Sequence, residues 1–234
     1  MIHSLRFTDG YPTNLPGVRR KTLRFNNRLN LIVGPNGAGK STILRTLGLG
    51  AGCGEGGWSS EQGTGEVHPD LGYRYELDWD GEAVFYQDCY SNSEHSFIDE
   101  TYLETHPELR STGERRIGLM NELIDDIEGR FLTYKMRRDE RPSLVLDEVD
   151  NHMGFAGQAI VWNELMPKLS KKYQLIVSTH SVFPILLRRD NPLREDRLFD
   201  LGDRYAEFCV LKLGEAISFF NSTGDGAAED EETE

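Results

Sequence analysis

Three short apolar runs punctuate the chain: Leu29-Asn30-Leu31-Ile32-Val33, Leu144-Val145-Leu146 and Leu175-Ile176-Val177. Each is too short for a helix and passes directly into polar or glycine-rich sequence, which is the pattern of a strand buried on both faces. The intervals between them carry helical spacing. Ser41 to Leu49 sets Ile43, Leu44 and Leu47 on one side. Ile117, Met120, Ile124, Ile127 and Phe131 recur at steps of 3, 4, 3 and 4. Phe155 to Leu169 turns Ala159, Trp162, Leu165 and Leu169 inward, and Val182 to Leu187 opens a further helix. Buried strands alternating with amphipathic helices predict an α/β fold with a mainly parallel sheet flanked by helices.

Other segments add detail. Residues 2–7 and 22–25 read as short strands around the turn-rich stretch Asp9-Gly10-Tyr11-Pro12. Tyr73 to Leu77 and Ala83 to Tyr86 flank Asp80-Gly81, which predicts a hairpin and an antiparallel N-terminal β portion. Residues 206–213 read as a last strand. Eight glycines fall between Gly48 and Gly65, so residues 48–66 are expected to form a flexible loop. The small helical part occupies 88–138. Residues 221–234 are small, polar and acidic and read as a disordered tail, which leaves 1–220 as one domain.

Charge narrows the partners. The formal net charge is −13, and six of the carboxylates lie in the tail, at Asp225, Glu229, Asp230, Glu231, Glu232 and Glu234. The body is still acidic, which disfavours broad, non-specific nucleic-acid binding but leaves room for a local basic groove. Two basic clusters, Arg19-Arg20-Lys21 with Arg24 and Arg28, and Lys135 with Arg137, Arg138 and Arg141, read as solvated surface. The 3 cysteines, Cys53, Cys89 and Cys209, form no Cys-x-x-Cys pair, which argues for a reducing compartment. No apolar run is long enough to span a bilayer and no basic leader precedes an apolar core. The expected location is therefore cytoplasmic, without membrane insertion.

The candidate chemistry begins where the first buried strand ends. Gly34-Pro35-Asn36-Gly37-Ala38-Gly39-Lys40-Ser41 fits G-x-x-x-x-G-K-[ST] in full, between a strand and a helix. In that setting the backbone N–H groups of Asn36, Gly37, Ala38 and Gly39 can wrap a phosphate chain. Lys40 would reach the β- and γ-phosphates of ATP, the Ser41 hydroxyl would ligate Mg²⁺, and Thr42 would support the phosphates. The second buried strand ends in Asp147-Glu148. At the carboxyl end of a strand, Asp147 can hold Mg²⁺ and Glu148 can polarise an attacking water.

Four further segments follow the same order: Gln87 after a strand, Ser111-Thr112-Gly113-Glu114-Arg115 opening a helix, Asp150-Asn151-His152-Met153 after the acidic pair, and Ser178-Thr179-His180-Ser181 after the third buried strand. In this order they resemble the Q-loop, signature, D-loop and switch-histidine motifs of ABC-type ATPases, over roughly residues 1–200. The wording Asn30-Leu31-Ile32-Val33, Ser-Thr-Gly-Glu-Arg and Thr179-His180-Ser181 is most similar to chromosome-maintenance, recombination-repair and OLD-type (anti-phage defence) ATPases. The resemblance implies a P-loop NTPase fold of the ABC type. It implies that Gln87 contacts Mg²⁺ and the attacking water. Ser111 and Gly113 would bind the γ-phosphate of ATP held by a second copy, and His180 would contact that of its own. It further implies ATP hydrolysis, a homodimer closed by sandwiched ATP, and action in DNA repair, DNA processing or phage defence. The short interval 88–110 leaves no room for a long coiled coil, and no nuclease domain follows, so a separate effector or nuclease chain is expected, with DNA as a further ligand. The competing expectation is the nucleotide-binding subunit of an ABC transporter.

Overall fold

The computed structural model describes residues 1–54, 57–59, 68–87, 124–125, 129, 141–151, 153–189 and 196–224. The three apolar runs become β3 Leu29–Val33, β7 Ser143–Leu146 and β8 Gln174–Ser178, each buried along its whole length. With β4 Gly57–Trp58, β6 Val84–Gln87 and β9 Arg197–Asp200 they build a six-stranded sheet in the order β4-β6-β7-β8-β3-β9. Five of these strands run parallel, and β4 pairs antiparallel with β6 at the edge.

Alternation along the inner strands divides the core in two. Ile32, Val145 and Ile176 face one side, where they pack with Ile43, Leu44 and Leu47 of α1 Lys40–Gly50. That side is closed by a three-stranded antiparallel sheet, β2 Thr22–Arg24, β1 Ile2–Asp9 and β5 Arg74–Trp79, in the order β2-β1-β5. Leu31, Leu144, Leu146, Leu175 and Val177 face the other side, against Trp162 and Met166. The helices there are α2 Phe155–Ile160, α3 Met166–Lys172, α4 Phe183–Arg189 and α5 Tyr205–Gly224. A π-helical turn, Val161–Leu165, joins α2 to α3 and keeps both in one continuous rod. The buried Gln174 ties the two sheets together. Its Oε1 accepts from the Ile2 N–H at 2.8 Å and the Ser143 hydroxyl at 2.7 Å, and its Nε2 donates to the Ile2 and Asn26 carbonyls, both at 2.7 Å.

The structure corrects the sequence reading in four places. First, β5 and β6 do not form a hairpin: β5 pairs with β1, while β6 pairs with β4 and β7. Asp80 is held by the amino terminus of Met1 and accepts the Glu82 N–H at 2.9 Å, so its turn carries the chain around a corner from one sheet to the other. All four residues of β6 are buried, which suits a place inside the parallel sheet better than a two-stranded ribbon.

Second, the first part of the glycine-rich interval, residues 48–53, is core rather than flexible loop, and 55–56 and 60–66 lie outside the described residues. α1 runs through Gly50, Ala51 and Cys53 are buried, and the Cys53 thiol donates to the Val84 carbonyl at 3.3 Å. Its burial pushes the Cys53 thiol up to about 12. Third, residues 206–213 lie in α5 and not in a strand. Ala206 and Val210 are spaced by one helical turn and pack inward, and the Asp200 carboxylate accepts the Ala206 N–H at 2.8 Å near the start of the helix. The last strand is instead β9, beside β3. Fourth, residues 221–224 belong to the end of α5 rather than to a tail. Of the stripe from Ile117 to Phe131, Ile124 packs against the second core, and apart from Ile124, Asp125 and Gly129 the interval 88–138 lies outside the described residues.

Candidate functional site

The carboxyl ends of β3, β7 and β8 point the same way; the loops leaving β3 and β7 line one cleft of about 390 Å³, and the loop leaving β8 brings His180 beside Glu148. Lys40, Ser41, Thr42, Glu148, Tyr11 and Leu15 line it, together with the backbone of the Asn36–Gly39 loop. Gly39 adopts φ 101, and a Cβ there would stand 2.6 Å from Leu15 Cδ1, so only glycine lets this loop close against the segment below it. α1 starts directly after Gly39, which aims the N-terminal amides of an eleven-residue helix into the cleft.

Lys40 is buried and folds back onto the loop, with Nζ donating to the Gly34 carbonyl at 3.1 Å and towards that of Pro35 at 3.5 Å. Burial holds its ammonium below the ordinary lysine value, while the Glu148 and Asp147 carboxylates pull it back up. An ammonium desolvated in this way is ready for a stronger anion than a carbonyl oxygen.

β7 delivers the acidic pair. The β6–β7 register sets Gln87 opposite Leu146, and the Gln87 carbonyl accepts the Asp147 N–H at 2.9 Å. Asp147 is buried, and its Oδ1 accepts from the Ser178 hydroxyl at the end of β8. The same Ser178 oxygen accepts the Glu148 N–H at 2.9 Å. Glu148 sits in left-handed backbone at φ 49, which turns its side chain sharply away from the strand line and into the cleft. There its Oε1 lies 2.8 Å from His180 Nε2, and its Oε2 accepts from Asn151 Nδ2 at 3.3 Å.

Beneath this pair lies a buried polar knot. Asp150 Oδ2 accepts from Trp162 Nε1 at 2.7 Å and from the Thr179 hydroxyl at 2.6 Å. The Thr179 hydroxyl in turn accepts the Ser181 N–H at 2.8 Å. Burial pushes the Asp150 carboxyl up, and the Thr179 and Trp162 hydrogen bonds pull it back down. The knot locks the loop after β8, which carries His180, to the loop after β7, which carries Glu148.

The structure therefore brings together Asn36, Gly37, Ala38, Gly39, Lys40, Ser41, Thr42, Asp147, Glu148 and His180, with Gln87 at the neighbouring strand end. Ser111 and Gly113 lie outside the described residues. The sequence reading gave no site role to Tyr11, whose hydroxyl is 2.9 Å from Thr42 Oγ1, to Leu15, to Ser178 of the motif around His180, or to Trp162 of the inward helix face. Ser178 carried a readable signal, a hydroxyl ending an apolar strand beside the acidic pair. Tyr11 carried none beyond its place in a turn.

Among the described residues no helix is long and apolar enough to cross a membrane. Residues 13–174, more than half of the chain, match the family described as AAA domain. No curated protein matches the chain.

Proposed function

Since the chain belongs to the AAA domain family, with the α/β fold of a P-loop NTPase, we propose that it binds ATP in the Lys40 cleft and hydrolyses it through Glu148. The observation that carries this reading is the meeting of Lys40, Ser41 and Glu148 in one cleft, with His180 2.8 Å from the Glu148 carboxylate. Loop amides and the start of α1 face the triphosphate, and Lys40 exchanges its carbonyl contacts for phosphate oxygens. Glu148 accepts the proton of the attacking water. His180, within hydrogen-bond reach of Glu148, orients that carboxylate and meets the γ-phosphate. Ser41 lines the cleft, the buried Asp147 carboxylate acts on Lys40 beside it, and the Gln87 strand end adjoins Asp147, so the available donors are hard oxygens, a set that suits Mg²⁺. When bound, Mg²⁺ neutralises phosphate charge; Ser41, Asp147 and Gln87 would hold it.

The finer reading is a dimerisation switch of the ABC type, closest to repair and anti-phage defence ATPases, in which ATP is capped by Ser111 and Gly113 of a second copy. Exposed apolar surface supports it. Phe155 is 75% exposed and packs on Phe183 with ring centroids 4.6 Å apart, and these two residues follow directly on the loops that carry Glu148 and His180. A face of this kind beside the cleft suits contact with another protein surface. A separate effector or nuclease chain, and DNA, remain the expected partners of the switch.

Glu148→Gln tests both levels. It should keep ATP binding while phosphate release falls by about 10²–10⁴-fold, the usual worth of a general base. Sizing this variant with ATP and Mg²⁺ should show a dimer absent without nucleotide. Turnover at the wild-type rate would remove Glu148 from the chemistry, and an unchanged size would remove the switch.

A further inference from the structure

A second cavity, of about 350 Å³, opens beside the antiparallel sheet and is lined by Arg6, Arg19, Arg20, Thr8, Thr13 and Asn14. Three guanidiniums around one hollow are unexpected in a chain whose net charge is −13. Their neutralisation is slight. Among the described residues Arg6 reaches only Glu76, at 3.8 Å between two exposed side chains, and the nearby Asp9 carboxylate accepts the Gly10 N–H at 2.8 Å. Among the described residues neither Arg19 nor Arg20 enters an ion pair.

The loop that presents these arginines is built rather than loose. Val18 is buried, Gly17 sits so close to Leu201 that a Cβ would stand 2.6 Å from it, and Arg19 and Lys21 donate their N–H groups to Leu15 and Val18. Arg20 is held at φ 55, in left-handed backbone that residues with a Cβ seldom adopt. The surrounding loop thus fixes two adjacent arginines on the same cavity as Arg6. Planar guanidiniums with neighbouring hydroxyl and amide groups match the oxygens of a phosphate group.

We propose that Arg6, Arg19 and Arg20 form a binding site for a phosphate-bearing anion, separate from the nucleotide cleft and coupled to it through residues 11–15. Segment 11–15 is the wall common to both cavities. Tyr11 and Leu15 line the nucleotide cleft, and Thr13 and Asn14 line the arginine hollow. An anion that draws the arginines together restrains this wall, and with it the Tyr11 contact to Thr42 and the Leu15 contact to the Gly39 turn. The phosphate has two sources, a free phosphate compound or the backbone of a nucleic-acid strand.

The experiment uses the full chain carrying Lys40→Ala, to disable the nucleotide cleft, and titrates it calorimetrically with inorganic pyrophosphate and separately with a short single-stranded oligonucleotide. At least one probe binds, and converting Arg19 and Arg20 together to Gln weakens it by about tenfold or more, the loss expected of charge-assisted contacts. Pyrophosphate binding supports the site with a free phosphate as a sufficient ligand; oligonucleotide binding alone supports it with a strand as the source. Lys in place of both arginines keeps the charge and the fold and recovers part of the affinity. Failure of both probes to bind, or binding indifferent to the Gln pair, overturns the site. In the chain with Lys40 intact the bound oligonucleotide shifts ATP affinity, ATP shifts the oligonucleotide's by the same factor, and converting Arg19 and Arg20 to Gln abolishes the shift. This coupling rests on the nucleotide reading of the cleft, and equal ATP affinity with and without the oligonucleotide overturns it.

Discussion

Replacing Gly48 by Ala should destabilise the protein, although alanine is the better helix former. Gly48 lies in α1 against β6, and a Cβ there would stand 2.3, 2.6 and 2.7 Å from Cγ, Cδ1 and Cβ of Tyr86. These atoms belong to the root of a ring that is 1% exposed on a strand paired on both sides, so no flexible end is available to move. Helix propensity favours the change by about 1 kcal/mol. Overpacking a tight core costs about 1–3 kcal/mol, and contacts this short belong at the upper end. The expected net loss is about 2 kcal/mol, or about 4–8 °C in melting temperature for a chain of this size. The matched control is Gly214→Ala in α5, where the new methyl meets nothing within 4 Å. That variant should gain up to about 1 kcal/mol. Thermal melts of the two variants beside the wild type are the assay. Because α1 begins at Lys40, a displaced helix should also weaken ATP binding in the Gly48 variant alone. A Gly48→Ala protein that melts at or above the wild type would refute the packing argument.

The Lys40 ammonium is held below 10.5, so between its folded value and 10.5 the unfolded chain binds more protons and stability from this group rises with pH. Lys40→Met should remove that rise, seen as a difference between the two stability curves from neutral to alkaline pH; parallel curves would contradict the burial. Tyr73, pushed up to about 12, acts in the opposite sense in both proteins and cancels in the difference. Trp162→Phe removes the 2.7 Å donor to buried Asp150 and part of the ring volume. It should cost about 2–4 kcal/mol in urea unfolding, and a loss below about 0.5 kcal/mol would mean that the knot contributes little.

The parts of the fold that could be read from the sequence share one property: a short-range pattern with a single structural solution. β3, β7 and β8 are apolar runs too short for helices, and the Gly34–Ser41 loop follows one of them in the order its phosphate chemistry requires. What escaped depended on distant partners. Asp80-Gly81 has the composition of a hairpin turn, but Met1 and the fully buried β6 decide that it turns a corner. Residues 206–213 alternate well enough for a strand, yet Asp200 stands in position to start a helix and β9 already fills the sheet edge. Gly48 and Gly50 read as loop because composition cannot show that Tyr86 and Leu77 press against them. The same holds for the site. Lys40, Asp147 and Glu148 stand in local motifs, whereas Tyr11, Ser178 and Trp162 reach the site only through contacts that span 31, 31 and 12 positions.

The twisted backbone at Glu148 sets a trap for anyone engineering this scaffold. A left-handed conformation costs a residue with a side chain about 1–2 kcal/mol, and glycine or asparagine is at home there. A screen that ranks variants by heat resistance alone would therefore enrich replacements of this carboxylate and discard the chemistry it provides. Selection on this protein has to score turnover and robustness together, because at this one position they pull apart.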